Sequence, residues 1–184
     1  MPIPSSAKKV FSGVLVDIYQ WPQKLYDSST TTFETVARRP SVDVLAEVDG
    51  KIIVVEQEQP VNGKFFGLAG GRLEVNEKPL DAAKRELLEE TGYASDDFEL
   101  IEEFDSYGLL QFKEYLYVAR SCKKVAKPNP DGGEKIELKL MTLDELLQLN
   151  RKRDFRVPVP LRFMMYECLL DENKKKKLKQ KIFG

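Results

Sequence analysis

The sequence predicts an α/β (α+β) chain in which a mixed central sheet carries packed helices and follows an N-terminal antiparallel β-hairpin. Three features predict it. Alternating β-branched and aromatic runs fill the first 60 residues, a helical apolar period lies between Pro79 and Gly92, and later strand-like runs end in a helix-start signal at Thr142. With 184 residues and 42% hydrophobic content, the chain suffices for one globular domain with a small appendage.

Within residues 9–37, VFSGVLVDIYQW and TTFETVARR flank a polar turn at Tyr26-Asp27-Ser28-Ser29 and read as a hairpin. Residues 1–40 therefore form an N-terminal segment and residues 41–184 the main domain. SVDVLAEV and KIIVVEQE are two strands joined by Asp49-Gly50, a strong signal for a tight hairpin in the central sheet. After the cluster Gly67-Leu68-Ala69-Gly70-Gly71 comes a helix with Pro79 in its first turn and Gly92 past its end. Leu80, Ala83 and Leu87 repeat at helical spacing and are expected to face the sheet. Further strands are expected at 98–104, 111–119 and 135–141, followed by the capping-box pattern Thr142-Leu143-Asp144-Glu145 opening another helix. Residues 159–170 read as helical, and the lysines from Lys174 to Lys177 as a solvated helix terminus.

Composition narrows the function. Lys+Arg 29 against Asp+Glu 30 gives a net charge of -1, so no global basic field exists to hold nucleic acid. Apolar stretches fall far short of the roughly 20 residues a membrane helix needs, and MPIPSSAKKVF lacks the apolar centre of a signal peptide, so a cytoplasmic protein is expected. Cys122 and Cys168 have no metal-ligand neighbours and read as buried thiols. Histidine is absent, which removes catalytic triads and imidazole metal sites and leaves acid, base and metal chemistry to carboxylates.

In R-E-L-L-E-E, Glu86 stands three and four positions before Glu89 and Glu90, so the three carboxylates share one helix face. Like charges at this spacing cost an isolated helix roughly 0.2–0.5 kcal/mol per pair, which points to a compensating cation. A solvated acidic face is the alternative. Mg²⁺ or Mn²⁺ fits because hard cations take oxygen ligands and bridge carboxylates to phosphates. Upstream, Gly70-Gly71 allows close backbone approach.

Gly71, Glu77, Arg85, Glu86, Leu87, Glu89, Glu90 and Gly92 match G-x5-E-x7-R-E-U-x-E-E-x-G-U, with Tyr93 at the final position where an aliphatic residue is usual. The stretch GRLEVNEKPLDAAKRELLEETGY thus resembles the signature of Nudix hydrolases, which implies an α-β-α sandwich and cleavage of a diphosphate linkage. The resemblance implies Glu86 and Glu90 as principal metal ligands, Glu89 completing or relaying the cluster, the Gly70 carbonyl as a further oxygen, and Arg85 paired with Glu77 to orient the helix. For a general base it directs attention to the loop Pro128-Asn129-Pro130-Asp131-Gly132-Gly133-Glu134, with Glu134 the first choice and Asp131 and Glu89 its competitors.

Looser similarity over residues 10–150, carried by TFETVARRPSVDVLAEVDGKIIVVEQEQP and GEKIELKLMTLDELL, reaches the ADP-ribose pyrophosphatase branch, which hydrolyses nucleoside diphosphate sugars. That branch implies a homodimer built by the N-terminal strands, with Tyr19, Trp21, Arg38, Arg39, Gln59 and Arg72 as candidates for substrate contact. For the aromatics the alternative is burial in a hairpin or interface, and for Arg38 and Arg39 a structural ion pair. Gln57-Glu58-Gln59-Pro60 stands where many ADP-ribose enzymes have an arginine, and Ser106-Tyr107-Gly108 where a proline is frequent, so broad nucleotide-sugar activity is expected over strict ADP-ribose specificity. Action on nucleoside triphosphates or modified nucleotides, or binding without cleavage, are the alternatives.

Overall fold

The computed structural model describes residues 3–61, 63–106, 108–130 and 132–184. Strands β1 (Lys8–Ser12), β2 (Val16–Lys24) and β3 (Thr30–Arg38) open the chain. The expected hairpin is β2–β3, in register from Val16↔Arg38 to Lys24↔Thr30. Its turn is closed by the Asp27 carboxylate, which accepts from Ser29 N at 2.9 Å and Ser29 Oγ at 2.6 Å. The run VFSGVLVDIYQW is not one strand, because the chain reverses between Ser12 and Val16, where Gly13 N donates to Val16 O at 2.9 Å. Lys9 Nζ (2.6 Å) and Ser12 Oγ (2.7 Å) both bind the Asp17 carboxylate across this reversal, and β1 folds back antiparallel on β2.

Strands β4 (Ser41–Val48) and β5 (Lys51–Gln59) meet across Asp49-Gly50 as expected. Their ladder covers Glu47↔Ile52 and Val48↔Lys51 and then stops. The strands part, and β6 (Gly63–Gly67) pairs with β5 while β7 (Ala69–Arg72) pairs with β4. Helix α1 (Pro79–Thr91) packs against β7 and β4, over this fork. Pro79 starts the helix, and Gly92, at φ 74°, ends it with its N–H on Leu88 O.

The chain continues through β8 (Tyr93–Ala94), β9 (Asp97–Asp105), β10 (Leu110–Gln111), β11 (Lys113–Arg120), β12 (Lys123–Lys124) and β13 (Lys135–Met141), then helices α2 (Leu143–Leu149), α3 (Val159–Leu170) and α4 (Glu172–Phe183). The central sheet has the order β13-β5-β4-β11-β9 and is mixed, since β11 runs parallel to β4 and antiparallel to β9. The N-terminal hairpin grows into a four-stranded sheet, because β10 adds to β3 in parallel.

Both faces of the central sheet are covered, which explains the nearly continuous apolar character of β4 and β5. On one face Val42, Val44, Ala46 and Ile53 pack against Ala83 and Leu87 of α1. On the other, Leu45, Ile52 and Val54 join Leu146, Leu161, Met165 and Ile182 from the remaining helices. The result is the α-β-α sandwich. The capping box of α2 forms in full, Thr142 accepting from Glu145 N while Glu145 accepts from Thr142 N. Both cysteines are buried free thiols.

Leu80 departs from expectation: it is exposed, and Ala82 is buried instead. The inward face of α1 is Ala82, Ala83, Leu87, Glu90 and Thr91, and its two alanines let the helix lie close to the strands. Leu87 is fully buried, so Leu87→Ala is expected to lower stability by about 3 kcal/mol. Urea denaturation measures it, and a loss within 0.5 kcal/mol of zero, on the order of a neutral surface change, contradicts the packing described.

Candidate active site

The acidic helix face divides on docking: Glu90 is buried, Glu86 is half-buried, and Glu89 keeps more exposure. Glu90 reaches into the fork between β4 and β5. Its Oε1 accepts from Gln57 Nε2 of β5 at 3.1 Å, and its Oε2 from the Gly70 amide of β7 at 2.9 Å. One carboxylate is thus held both by β5 and by β7, the strand that pairs with β4 where β5 has left it. Burial pushes the Glu90 carboxyl well above its ordinary range; the Gly70 hydrogen bond opposes this, and the charges of Glu86, Glu134 and Asp43 add to it.

Glu86 lies against β7, and a Cβ at Gly71 would collide with its carboxylate. A side chain at the second glycine of the pair would therefore displace the Glu86 carboxylate from its present position. The Glu86 pKa is raised by burial, against the Arg85 charge, with Glu89 and Glu134 raising it further. Arg85 binds Glu77 through Nε (2.8 Å) and Nη2 (2.9 Å), Glu86 through Nη1 (2.9 Å), Glu89 through Nη1 (3.0 Å) and the Arg72 carbonyl (3.3 Å). The Arg85–Glu77 pair is as expected. Arg85 holds Glu77 below its ordinary pKa and is itself driven upward, first by Glu77 and then by Glu86 and Glu89.

Glu134 comes to this cluster from the far side. The loop before β13 is tied to the end of α1, where Val125 N and Ala126 N donate to Gly92 O and Asn129 N donates to Glu89 O at 2.7 Å. At its other end Glu134 Oε1 accepts from Gln59 Nε2 at 2.8 Å, close enough to Glu86 and Glu90 to raise both. Asp131 lies outside the described residues.

Among the described residues no three acidic or cysteine side chains converge on one point as they stand, since Arg85 draws Glu86 and Glu89 to itself. The donor chemistry nevertheless suits a hard divalent cation. Two carboxyls driven upward by burial and mutual repulsion are those a bound cation relieves, and the space before Gly71 admits the Glu86 oxygens.

Arg38, Arg39 and Tyr19 line a pocket of about 370 Å³ with Val14, Leu15 and Asp17 in the N-terminal sheet. Trp21 is not there: it is 5% exposed, stands edge-on to Phe33 at 6.1 Å and donates to Gln23 at 3.2 Å, so the burial alternative describes it. Arg38 lies over the Phe112 ring at 3.6 Å, within 3.5 Å of Glu114 and 3.3 Å of Ser41 Oγ, and Arg72 is near enough to repel it. Sequence reading missed Phe112, Glu114, Asp43 and Gln57, since their roles depend on strand register. A wider groove of about 740 Å³ between β13 and α2 includes Leu138, Leu140 and Met141, but no box residue lines it.

A NUDIX domain matches residues 37–161. The chain belongs to the NUDIX family. It is 32% identical over 151 residues to an ADP-ribose pyrophosphatase of Bacillus subtilis (strain 168), covering 80% of this chain and 82% of that protein. A methanol dehydrogenase activator of Bacillus methanolicus is 33% identical over 150 residues, covering 79% and 81%. Among solved structures, an ADP compounds hydrolase superposes with a TM-score of 0.73 at 20% identity over 92% of this chain and 95% of that one. A NUDIX hydrolase from Nitrosomonas europaea gives 0.57 at 20% identity over 71% and 88%. These two share the fold. The chain is a Nudix pyrophosphohydrolase related to ADP-ribose pyrophosphatase.

Asp43, on β4 opposite Gly70, is driven to about 7 by burial and then by Glu114, against Arg38. A carboxyl whose folded pKa is raised contributes stability that is complete below its unfolded value and lost as pH climbs through the folded one, here between about 4 and 7. With EDTA present, the melting temperature of Asp43→Asn should therefore gain on that of the parent from pH 4.5 to pH 8, by roughly a few degrees. A difference constant across that range refutes the assignment.

Proposed function

We propose that the protein hydrolyses the diphosphate linkage of nucleoside diphosphate sugars such as ADP-ribose, giving a nucleoside monophosphate and a sugar phosphate. The observation that carries this reading is Glu90 buried at the fork, held there by Gln57 and the Gly70 amide, in a chain 32% identical to an ADP-ribose pyrophosphatase. Glu86, Glu89 and Glu90, with the Gly70 carbonyl, would hold Mg²⁺, or Mn²⁺ in its place. When bound, the ion neutralises diphosphate oxygens and lowers the pKa of the attacking water.

Glu134 accepts the proton of that water as it attacks phosphorus, and the bridging oxygen departs with the other phosphate. Arg85 fixes the helix register through Glu77 and balances the charge of Glu86 and Glu89. Arg38, Arg39, Arg72 and Tyr19 bind the remainder of the substrate. Two copies associate through the N-terminal sheet, a reading supported by the exposure of Val10, Phe11, Val14 and Leu15 there. The enzyme works in the cytoplasm, consistent with its free thiols, and no described helix is long and apolar enough to cross a membrane.

Incubation with ADP-ribose, GDP-mannose and UDP-glucose plus Mg²⁺, following monophosphate release, tests the reaction. Turnover of none of them by folded protein removes this reading, and release of pyrophosphate from nucleoside triphosphates would replace it. Glu90→Gln keeps volume but removes a ligand charge, so kcat is expected to drop by roughly 100-fold or more with the fold retained. A near-normal rate would locate the metal elsewhere.

A further inference from the structure

We propose that Gln57 and Gln59 form an amide bridge between the two halves of the active site, and that Gln59 is the positioning residue for Glu134. The inference rests on Glu134 being the general base.

The two glutamines are two residues apart on β5 and so project from the same face. Gln57, only 6% exposed, donates from Nε2 to Glu90 Oε1 at 3.1 Å. Gln59 Nε2 donates to Glu134 Oε1 at 2.8 Å and makes a longer contact with Gln57 Oε1 at 3.4 Å. The run from Glu134 through Gln59 and Gln57 to Glu90 thus spans from the loop before β13 to helix α1.

The bridge has one direction. Glu134 accepts from Gln59 Nε2 and Glu90 from Gln57 Nε2, so each amide turns its nitrogen toward its carboxylate. The second proton on Gln59 Nε2 then meets Gln57 Oε1, which leaves Gln57 Nε2 for Glu90. One orientation of both amides satisfies these three contacts.

Register explains why Gln59 meets Glu134. Lys135 pairs with Glu58 in the β13–β5 ladder, so the residue before Lys135 falls opposite the residue after Glu58. Glu134 is preceded by Gly132 and Gly133, which carry no side chain to anchor the turn. The Gln59 amide therefore holds the carboxylate at the end of a permissive stretch. It does so while leaving Glu134 close enough to Glu86 and Glu90 for its charge to be felt by both.

A kinetic cycle with ADP-ribose and Mg²⁺ tests this, using Gln59→Met, Glu134→Gln and the double variant. Glu134→Gln should lower kcat by about 100-fold or more, and Gln59→Met by about tenfold with KM within about twofold. The double variant should match Glu134→Gln within about twofold, because the two side chains act as one unit. Gln59→Asn, which retains the donor on a shorter stem, should recover part of the loss. Hydrogen exchange followed by mass spectrometry should show faster exchange around residues 132–135 in Gln59→Met.

Full additivity in the cycle overturns the proposal while leaving Glu134 as base, as does an unchanged kcat or exchange pattern in Gln59→Met. A raised KM at constant kcat also overturns it, since Gln59 would then be touching substrate instead. An unaltered rate in Glu134→Gln removes the base assignment and the proposal with it.

Discussion

The constraint on which this molecule turns is the burial of an acidic side chain, Glu90, in the opening between two strands. A carboxylate taken out of water needs hydrogen bonds and opposite charge near it, or it takes up a proton. The fold supplies hydrogen bonds from Gln57 on one strand of the fork and from the Gly70 amide of β7, which pairs with the other. Positive charge is held one layer out, on Arg85, which reaches Glu86 and Glu89. The arrangement leaves Glu90 short of a counter-charge, the local condition under which a divalent cation gains most from oxygen ligands.

The fork itself follows from strand pairing. Had β4 and β5 stayed paired beyond Glu47↔Ile52, their inner edges would have bonded to each other. By parting, they receive β7 and β6, bringing the glycine-rich segment beneath α1. Small residues on both sides then permit the approach: Ala82 and Ala83 on the helix, and Gly71 beside the Glu86 carboxylate. The stop at Gly92 serves the same site twice, since its carbonyl also receives the amides that begin the loop toward Glu134. A side chain there would collide with the Ala126 carbonyl.

What the sequence made legible was whatever depends on neighbours in the chain. The bounds of α1, the Asp49-Gly50 turn and the capping box at Thr142 all arise from residues close in the chain, and the Arg85–Glu77 pair was implied by the resemblance of the box. Contacts set by register between distant strands were not legible. Gln59 was expected to face substrate, yet its amide lies on Glu134, 75 residues away. Gln57 and Asp43 gave no local sign that they would surround Glu90. Trp21 looked like a stacking platform because an aromatic on an N-terminal strand has the same local pattern whether its ring faces a pocket or packs on Phe33. The break at Gly13 was hidden for a related reason: the residues on either side both have strand character, and the reversal is stabilised by Asp17 reaching across to Lys9 and Ser12.

The two-residue strand β10 carries a consequence out of proportion to its length. It joins the edge of β3 in parallel at Val36 and Ala37, and just before it the Leu109 carbonyl takes both Val36 N and Thr35 Oγ1. The connection between β9 and β11 is thereby stitched to the amino-terminal sheet, while β11 itself lies beside β4 at the fork. Arg38, one residue past that stitch and stacked on Phe112 one residue past β10, is clamped from both chain segments at once. The amino-terminal sheet is thus joined to the catalytic body at two places along the chain, so that a change in the β9–β11 connection bears on the arginine-lined rim as directly as one in β3.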